Sequence, residues 1–151
     1  MTDQVDLARQ AAGSLRLLDL VLHTSKFERP FDQAVETAID ALQQFKRQVD
    51  YALADKVEGE TTTRVLIVFV RLGLRVVNQD ALEGQIIYYA IEADYRVEYA
   101  LTSDAEGDAL AAFAQINAVH NVWPFWRQHV FDIVQRGRLP QLEVPLYSVK
   151  V

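Results

Sequence analysis

Two neighbouring stretches decide the fold: Leu66-Ile67-Val68-Phe69-Val70-Arg71-Leu72-Gly73-Leu74-Arg75-Val76 and Ile87-Tyr88-Tyr89-Ala90-Ile91-Glu92-Ala93-Asp94-Tyr95-Arg96-Val97-Glu98-Tyr99-Ala100-Leu101. Every even position of the first is apolar, and every odd position of the second. A period of two sends alternate side chains to opposite faces of a strand, so each stretch predicts a strand with one buried face. Both exceed the usual ~5–6 residues, which implies a long, bent sheet. Residues 78–84 read as the hairpin loop between them. Setting Val77 opposite Ile86 aligns the apolar faces and places Arg71 across from Glu92. A slip of one residue would bury the charges, so burial fixes the parity of the pairing even where it leaves the register open.

Outward from this hairpin the periods alternate. Val5 to Ala12 is weakly helical and stops at Gly13. Leu18, Leu20 and Leu22 mark one face of a strand over 15–24, closed by Phe27-Glu28-Arg29-Pro30. Phe31, Val35, Ala38, Ile39, Leu42 and Phe45 recur at helical spacing and predict a helix, with Asp32 and Glu36 on its other side. Phe45, Val49, Tyr51, Leu53 and Val57 then predict a half-buried strand that turns at Glu58-Gly59-Glu60. After Ser103-Asp104, a pair suited to an N-cap, Leu110, Phe113, Ala114, Asn117 and Ala118 share a helix face. Pro124 interrupts or restarts that helix, and Trp126, Val130, Ile133 and Val134 carry its apolar stripe to Gly137. The tail from Arg138 is apolar, proline-broken and extended. The reading is an α+β fold, a four-stranded antiparallel sheet with a long C-terminal helix packed on one face, forming one domain over residues 1–151.

Composition narrows the function. The chain has 151 residues, is 50% hydrophobic and carries a formal net charge of −6, which disfavours a protein that tracks nucleic-acid phosphates. It has no cysteine, hence neither a disulfide framework nor a thiolate nucleophile. No apolar run is long enough to span a membrane and the N-terminus lacks signal-peptide character, so a cytoplasmic location is expected. His23, His120 and His129 have no metal-ligand spacing, and Ser14, Ser25, Ser103 and Ser148 lie outside any nucleophile elbow. The expectation is a protein with no catalytic residues, metal or cofactor.

Three features remain, each with two readings. Glu92, Asp94 and Glu98 project from one sheet face, either as an ordinary solvated surface or as a docking face for a basic partner; Arg71, Arg75 and Arg96 dilute their charge. Trp126 reads as core with Val130 and Val134, whereas Trp123 and Phe125 lie off that stripe and would be exposed on a monomer, as at an oligomer interface or client groove. Tyr89, Tyr95 and Tyr99 read as core beneath the helix, with ligand contact as the other reading.

Residues 121–146 resemble the SecB-type export chaperones. That family carries an apolar pair, Pro, an aromatic residue and, one residue later, Arg, matched here by Val122-Trp123-Pro124-Phe125-Trp126-Arg127. An Arg-Gly-x-aliphatic-Pro-x-Leu segment follows, here Arg136-Gly137-Arg138-Leu139-Pro140-Gln141-Leu142, and Phe27-Glu28-Arg29-Pro30 is similar to the close of the family's first strand. The resemblance implies an ATP-independent holdase, a homotetramer built as a dimer of dimers with Trp123, Phe125 and Trp126 at the helix interface. It implies apolar grooves for unfolded clients lined by Phe27, Phe31, Leu42 and Phe45 on one side and Leu139, Leu142, Val144 and Leu146 on the other. It also implies that the acidic face of Glu92, Asp94 and Glu98 docks the translocation motor SecA in export members. The family's second C-terminal helix and basic tail have no counterpart before Val151. The crossover segment from Phe31 to Phe45 also reads as helical where the family is extended. Both departures point to the divergent SecB-like branch that accompanies toxin–antitoxin pairs, whose client is an antitoxin. A small-molecule carrier whose sheet grips a helix, and a purely structural oligomerisation module, are the competing readings.

Overall fold

The computed structural model describes residues 3–30, 41–78, 84, 86–139 and 144–145. Its elements are α1 (Gln4–Ala12), β1 (Leu15–Glu28), β2 (Ala41–Glu58), β3 (Thr61–Asn78), β4 (Ile87–Leu101), α2 (Gly107–Phe113), a π-helical turn (Ala114–Ala118) and α3 (Val119–Gly137). The four strands form one antiparallel sheet in the order β1-β4-β3-β2. β1 and β2 are therefore its edges, and α2, the π turn and α3 run on as one helix over a single face.

The β3–β4 hairpin has the predicted parity and a different register. Leu66, Val68, Val70, Leu72, Leu74 and Val76 are all buried, as are Tyr89, Ile91, Ala93, Tyr95, Val97 and Tyr99. Arg71 pairs with Asp94, however, two residues from the expected Glu92, and Val77 pairs with Ile87 across a bulge after Val76. Burial selects the parity, whereas the loop end selects the register. There the Asn78 side chain accepts from the Ile86 N–H at 2.7 Å and donates to the Gly84 carbonyl at 3.2 Å. The β2–β3 hairpin closes with Glu58 opposite Thr61, which leaves the two-residue loop Gly59-Glu60 with Gly59 at φ +63°. A glycine fits there because the tight turn needs a positive φ.

Three local expectations are corrected. Leu42 and Phe45 belong to β2, not to a helix, because residues 41–58 pair with β3 along their whole length; residues 31–40 of that expected helix lie outside the described residues. In β1, bulges at 17/19 and 22/24 set Leu17, Leu20 and Leu22 opposite Tyr99, Val97 and Tyr95, so Leu17 takes the core-facing place expected of Leu18. The helix after β4 starts at Gly107 with Glu106 as an N-cap that makes no side-chain bond, not at Ser103-Asp104.

Pro124 neither breaks nor restarts the helix; it lies inside α3. An interior proline costs ~3 kcal/mol. Val119, Val122, Trp126 and Val130 are at most 1% exposed, and burial of each large apolar side chain contributes ~1.5–3 kcal/mol, which outweighs that cost. At its C-terminus α3 ends on Arg138 in the left-handed region (φ 49°, ψ 47°). The Leu139 N–H bonds the Val134 carbonyl at 2.9 Å and the Arg138 N–H the Gln135 carbonyl at 3.2 Å, the two bonds of a Schellman ending. Gly137, one residue earlier, serves close packing: a Cβ there would lie 3.2 Å from Leu139 Cγ and 3.4 Å from Phe27 Cζ.

Candidate functional site

α3 lies antiparallel to β4. Asn121 Nδ2 donates to the Tyr99 hydroxyl at 2.8 Å near one end, Ser25 Oγ meets His129 Nε2 at 2.9 Å midway, and Arg29 donates to the Gly137 carbonyl at 2.8 Å at the other end. Burial lowers the His129 pKa, and the charge of Arg136 adds to this against the opposing effect of Asp132. Between these anchors Trp126, 1% exposed, is among the largest fully buried side chains. Tyr89, Tyr95 and Tyr99 are core residues, with Tyr99 edge-to-face against Phe113 at 4.8 Å. Burial pushes the Tyr95 and Tyr99 hydroxyls up to about 12 and that of Tyr89 higher still. Tyr89 Oη is buried with no hydrogen-bond partner among the described residues.

The width of this cover creates the site. A helix is ~10–12 Å across with its side chains, whereas four strands spaced ~4.7–4.9 Å apart make a wider surface. One helix therefore shields β3 and β4 and leaves much of the core-facing sides of both edge strands open, with Leu20 of β1 and Val49 of β2 packed part-way against the core. On β2, Phe45, Tyr51 and Leu53 pair with the buried Leu74, Val68 and Leu66 and are 47%, 42% and 39% exposed, while Val57, on the same face opposite the exposed Thr62, is 66% exposed. On β1, Leu17, Leu22 and Phe27 hold the equivalent places and are also exposed. Two apolar margins thus flank the helix along the sheet. Large exposed apolar patches mark sites that take a partner.

The expected groove residues distribute unevenly over this frame. Phe27 and Phe45 sit on the two margins. Leu42, paired with Val77, is exposed on the other side of β2. Leu139 and Val144 are buried in the core cluster, because the chain folds back onto α3 after Arg138. Phe31, Leu142 and Leu146 lie outside the described residues. Of the aromatic trio, Phe125 is 56% exposed and Trp123 half-buried, whereas Trp126 points into the subunit's own core and has no surface to offer a second copy. Tyr51, Leu53 and Val57 carry no site signal in the sequence: their alternation marks a core-facing side but not whether a helix reaches it.

Glu92, Asp94 and Glu98 all lie on the opposite, helix-free face, and each has a cation within the sheet. Lys46 crosses β3 to Glu92, and it passes directly over Gly73, where a Cβ would come within 2.6 Å of Lys46 Cε. Asp94 accepts from Arg71 Nε at 2.8 Å and from Thr24 Oγ1 at 2.6 Å. The Arg71 hydrogen bond, helped by that of Thr24, holds the Asp94 carboxyl below the usual range. Glu98 pairs with Arg96 and, at 3.9 Å, with Lys56. Among the described residues no group of three or more His, Asp or Glu is placed to hold a metal ion, and no helix is long and apolar enough to cross a membrane.

No protein-family model matches the chain, and no curated protein matches it in sequence. A solved structure does: the Mycobacterium tuberculosis Rv1957 SecB-like chaperone in complex with a ChAD peptide from the Rv1956 HigA1 antitoxin, at TM-score 0.66 and 17% identity, over 97% of this chain and 100% of that one. The fold is SecB-like. At that identity the likeness concerns the course of the chain, which gives the four-stranded sheet and its helix the SecB-like arrangement expected from the resemblance of residues 121–146.

Proposed function

We propose that this chain is an ATP-independent holdase that binds unfolded or aggregation-prone polypeptides along the two apolar margins of its sheet. The observation that carries the proposal is the row Phe45, Tyr51, Leu53 and Val57, each at least 39% exposed on a side of the sheet that elsewhere forms the core. Such a row, interrupted by Arg47 and Asp55 on the same face, offers apolar contact along an edge strand of the sheet, which suits extended segments of varied sequence. The SecB-like fold supports the reading, as does the presence of an antitoxin-derived peptide on the neighbour of that fold. An antitoxin is accordingly the client class we favour over exported proteins.

The chain acts as a homotetramer, a dimer of dimers, in which Phe125 and part of the apolar margins meet other copies and the remainder stays open to clients. Phe27 and Phe45 line the open grooves. Glu92, Asp94 and Glu98 are left out of this scheme, because a motor such as SecA docking there must first displace Lys46, Arg71 and Arg96 from their partners. The test is light scattering, used twice. Alone, the chain should have the mass of four subunits; at stoichiometric amounts without ATP it should suppress aggregation of a denatured protein diluted into buffer. A monomer that leaves aggregation unslowed refutes the proposal.

A further inference from the structure

Beside the sheet margins, the outer side of α3 carries a feature that the holdase reading does not use. Trp123 and Arg127, four residues apart and hence on one face of the helix, donate to two successive backbone carbonyls of the returning chain. Trp123 Nε1 reaches the Pro145 carbonyl at 2.8 Å and Arg127 Nε the Val144 carbonyl at 3.1 Å. The Val144 side chain is 3% exposed and belongs to the core cluster. The dipeptide is thus held by its carbonyls and one small apolar side chain.

From this we infer that Trp123, Arg127 and the apolar surroundings of Val144 form a peptide seat, which Val144-Pro145 of the same chain occupies in place of a client. The partner is an extended peptide with a β-branched or other small aliphatic residue at the Val144 place. Three observations support this occupant. Side-chain donors aimed at main-chain carbonyls recognise any extended backbone, so affinity does not depend on most of the sequence seated. Pro145 has no N–H, so seating the dipeptide leaves no donor of that residue without a partner. Among the described residues, two hydrogen bonds and one valine make the hold, which a competing peptide can replace bond for bond. When the resident dipeptide holds the seat, only the fraction of molecules with an empty seat can bind a peptide, and apparent affinity falls by that fraction. The inference rests on the holdase reading and adds to it a second, self-occupied contact for the client.

The test is fluorescence anisotropy with a labelled synthetic peptide of the sequence of residues 140–149, titrated with the full chain. Val144→Asp, which unseats the resident dipeptide, should tighten peptide binding at least fivefold, and Val144→Ser should do so to a smaller degree if the aspartate variant fails to fold. Arg127→Ala and Trp123→Phe, each made in the Val144→Ser background, should weaken it at least fivefold. Binding unchanged by the Val144 substitutions overturns the inference, and aggregation suppression that persists in all four variants then shows that the holdase reading stands without it. Failure of every form both to bind the peptide and to suppress aggregation overturns both.

Discussion

Replacing Tyr89 by Phe should stabilise the protein, while the same change at Tyr99 should destabilise it. Both rings are buried on the helix-facing side of β4, at 0% and 2% exposure, so both substitutions remove one oxygen from the same core. What differs is the partner. The Tyr99 hydroxyl accepts from Asn121 Nδ2 at 2.8 Å, whereas Tyr89 Oη has no partner among the described residues. A buried polar group left unsatisfied costs ~1–3 kcal/mol, and a typical hydrogen bond contributes a net ~0.5–1.5 kcal/mol. Tyr89→Phe should therefore gain about 1 kcal/mol or more, and Tyr99→Phe should lose about as much. For a chain of this length ~1 kcal/mol moves the melting temperature by roughly 2–4 °C, so the two variants should separate on opposite sides of the wild type. Urea unfolding at one fixed protein concentration, with the slope unchanged, is the assay; fixing the concentration removes the contribution of assembly. Equal destabilisation by both substitutions would refute the reasoning, since it would mean that the Tyr89 hydroxyl is satisfied in the folded protein.

Two further outcomes follow from single residues. Arg138→Gly should raise stability by about 1 kcal/mol in thermal melts, because a non-glycine residue in the left-handed region costs ~1–2 kcal/mol and the Schellman ending requires that conformation here; a loss of stability would show that the arginine side chain contributes more than its backbone strain removes. The folded-state pKa values of both His129 and Asp94 are lowered, by burial and by the Arg71 hydrogen bond respectively. The unfolded chain then binds the extra proton first, so stability is fully present above the unfolded values and is lost as pH falls. The His129 contribution should fade below pH ~6.5 and that of Asp94 below pH ~3.9. Melting curves across pH should lose the upper step in His129→Phe and keep it in Asp94→Asn; a wild-type melting temperature that is flat from pH 7 to 5 would contradict the first.

Much of this fold is legible in the residues, and the errors share a cause. The alternation in 66–76 and 87–101 identifies the buried side of β3 and β4 without ambiguity, because a wrong parity would place Arg71, Glu92 and Asp94 in the core. Register is another matter: moving Arg71 from Glu92 to Asp94 keeps every side chain on its face, so hydrophobicity is indifferent and the Asn78–Ile86 bonds decide. Leu42 and Phe45 are three apart, a spacing that suits one helix face, yet on β2 it puts them on opposite sides of the sheet. Bulges in β1 likewise shift Leu18 out of step with Leu20. The site was half visible. Phe27 and Phe45 fall on the apolar margins, but the width of the helix relative to the sheet, which leaves those margins bare, is a three-dimensional quantity that no local period encodes. The same holds for Trp123 and Arg127, whose i, i+4 spacing reveals a shared face but not the Val144-Pro145 backbone that lies against it.

We propose that apolar side chains bare on the edge of the sheet hold unfolded clients. The most direct measurement of this hold is the aggregation of a denatured protein diluted with the triple variant Phe45→Ser, Tyr51→Ser, Leu53→Ser. The account predicts a folded protein with a melting temperature close to that of the wild type, since these side chains are 39–47% exposed, and with its protection of the client abolished. Full protection by the folded triple variant would contradict the account.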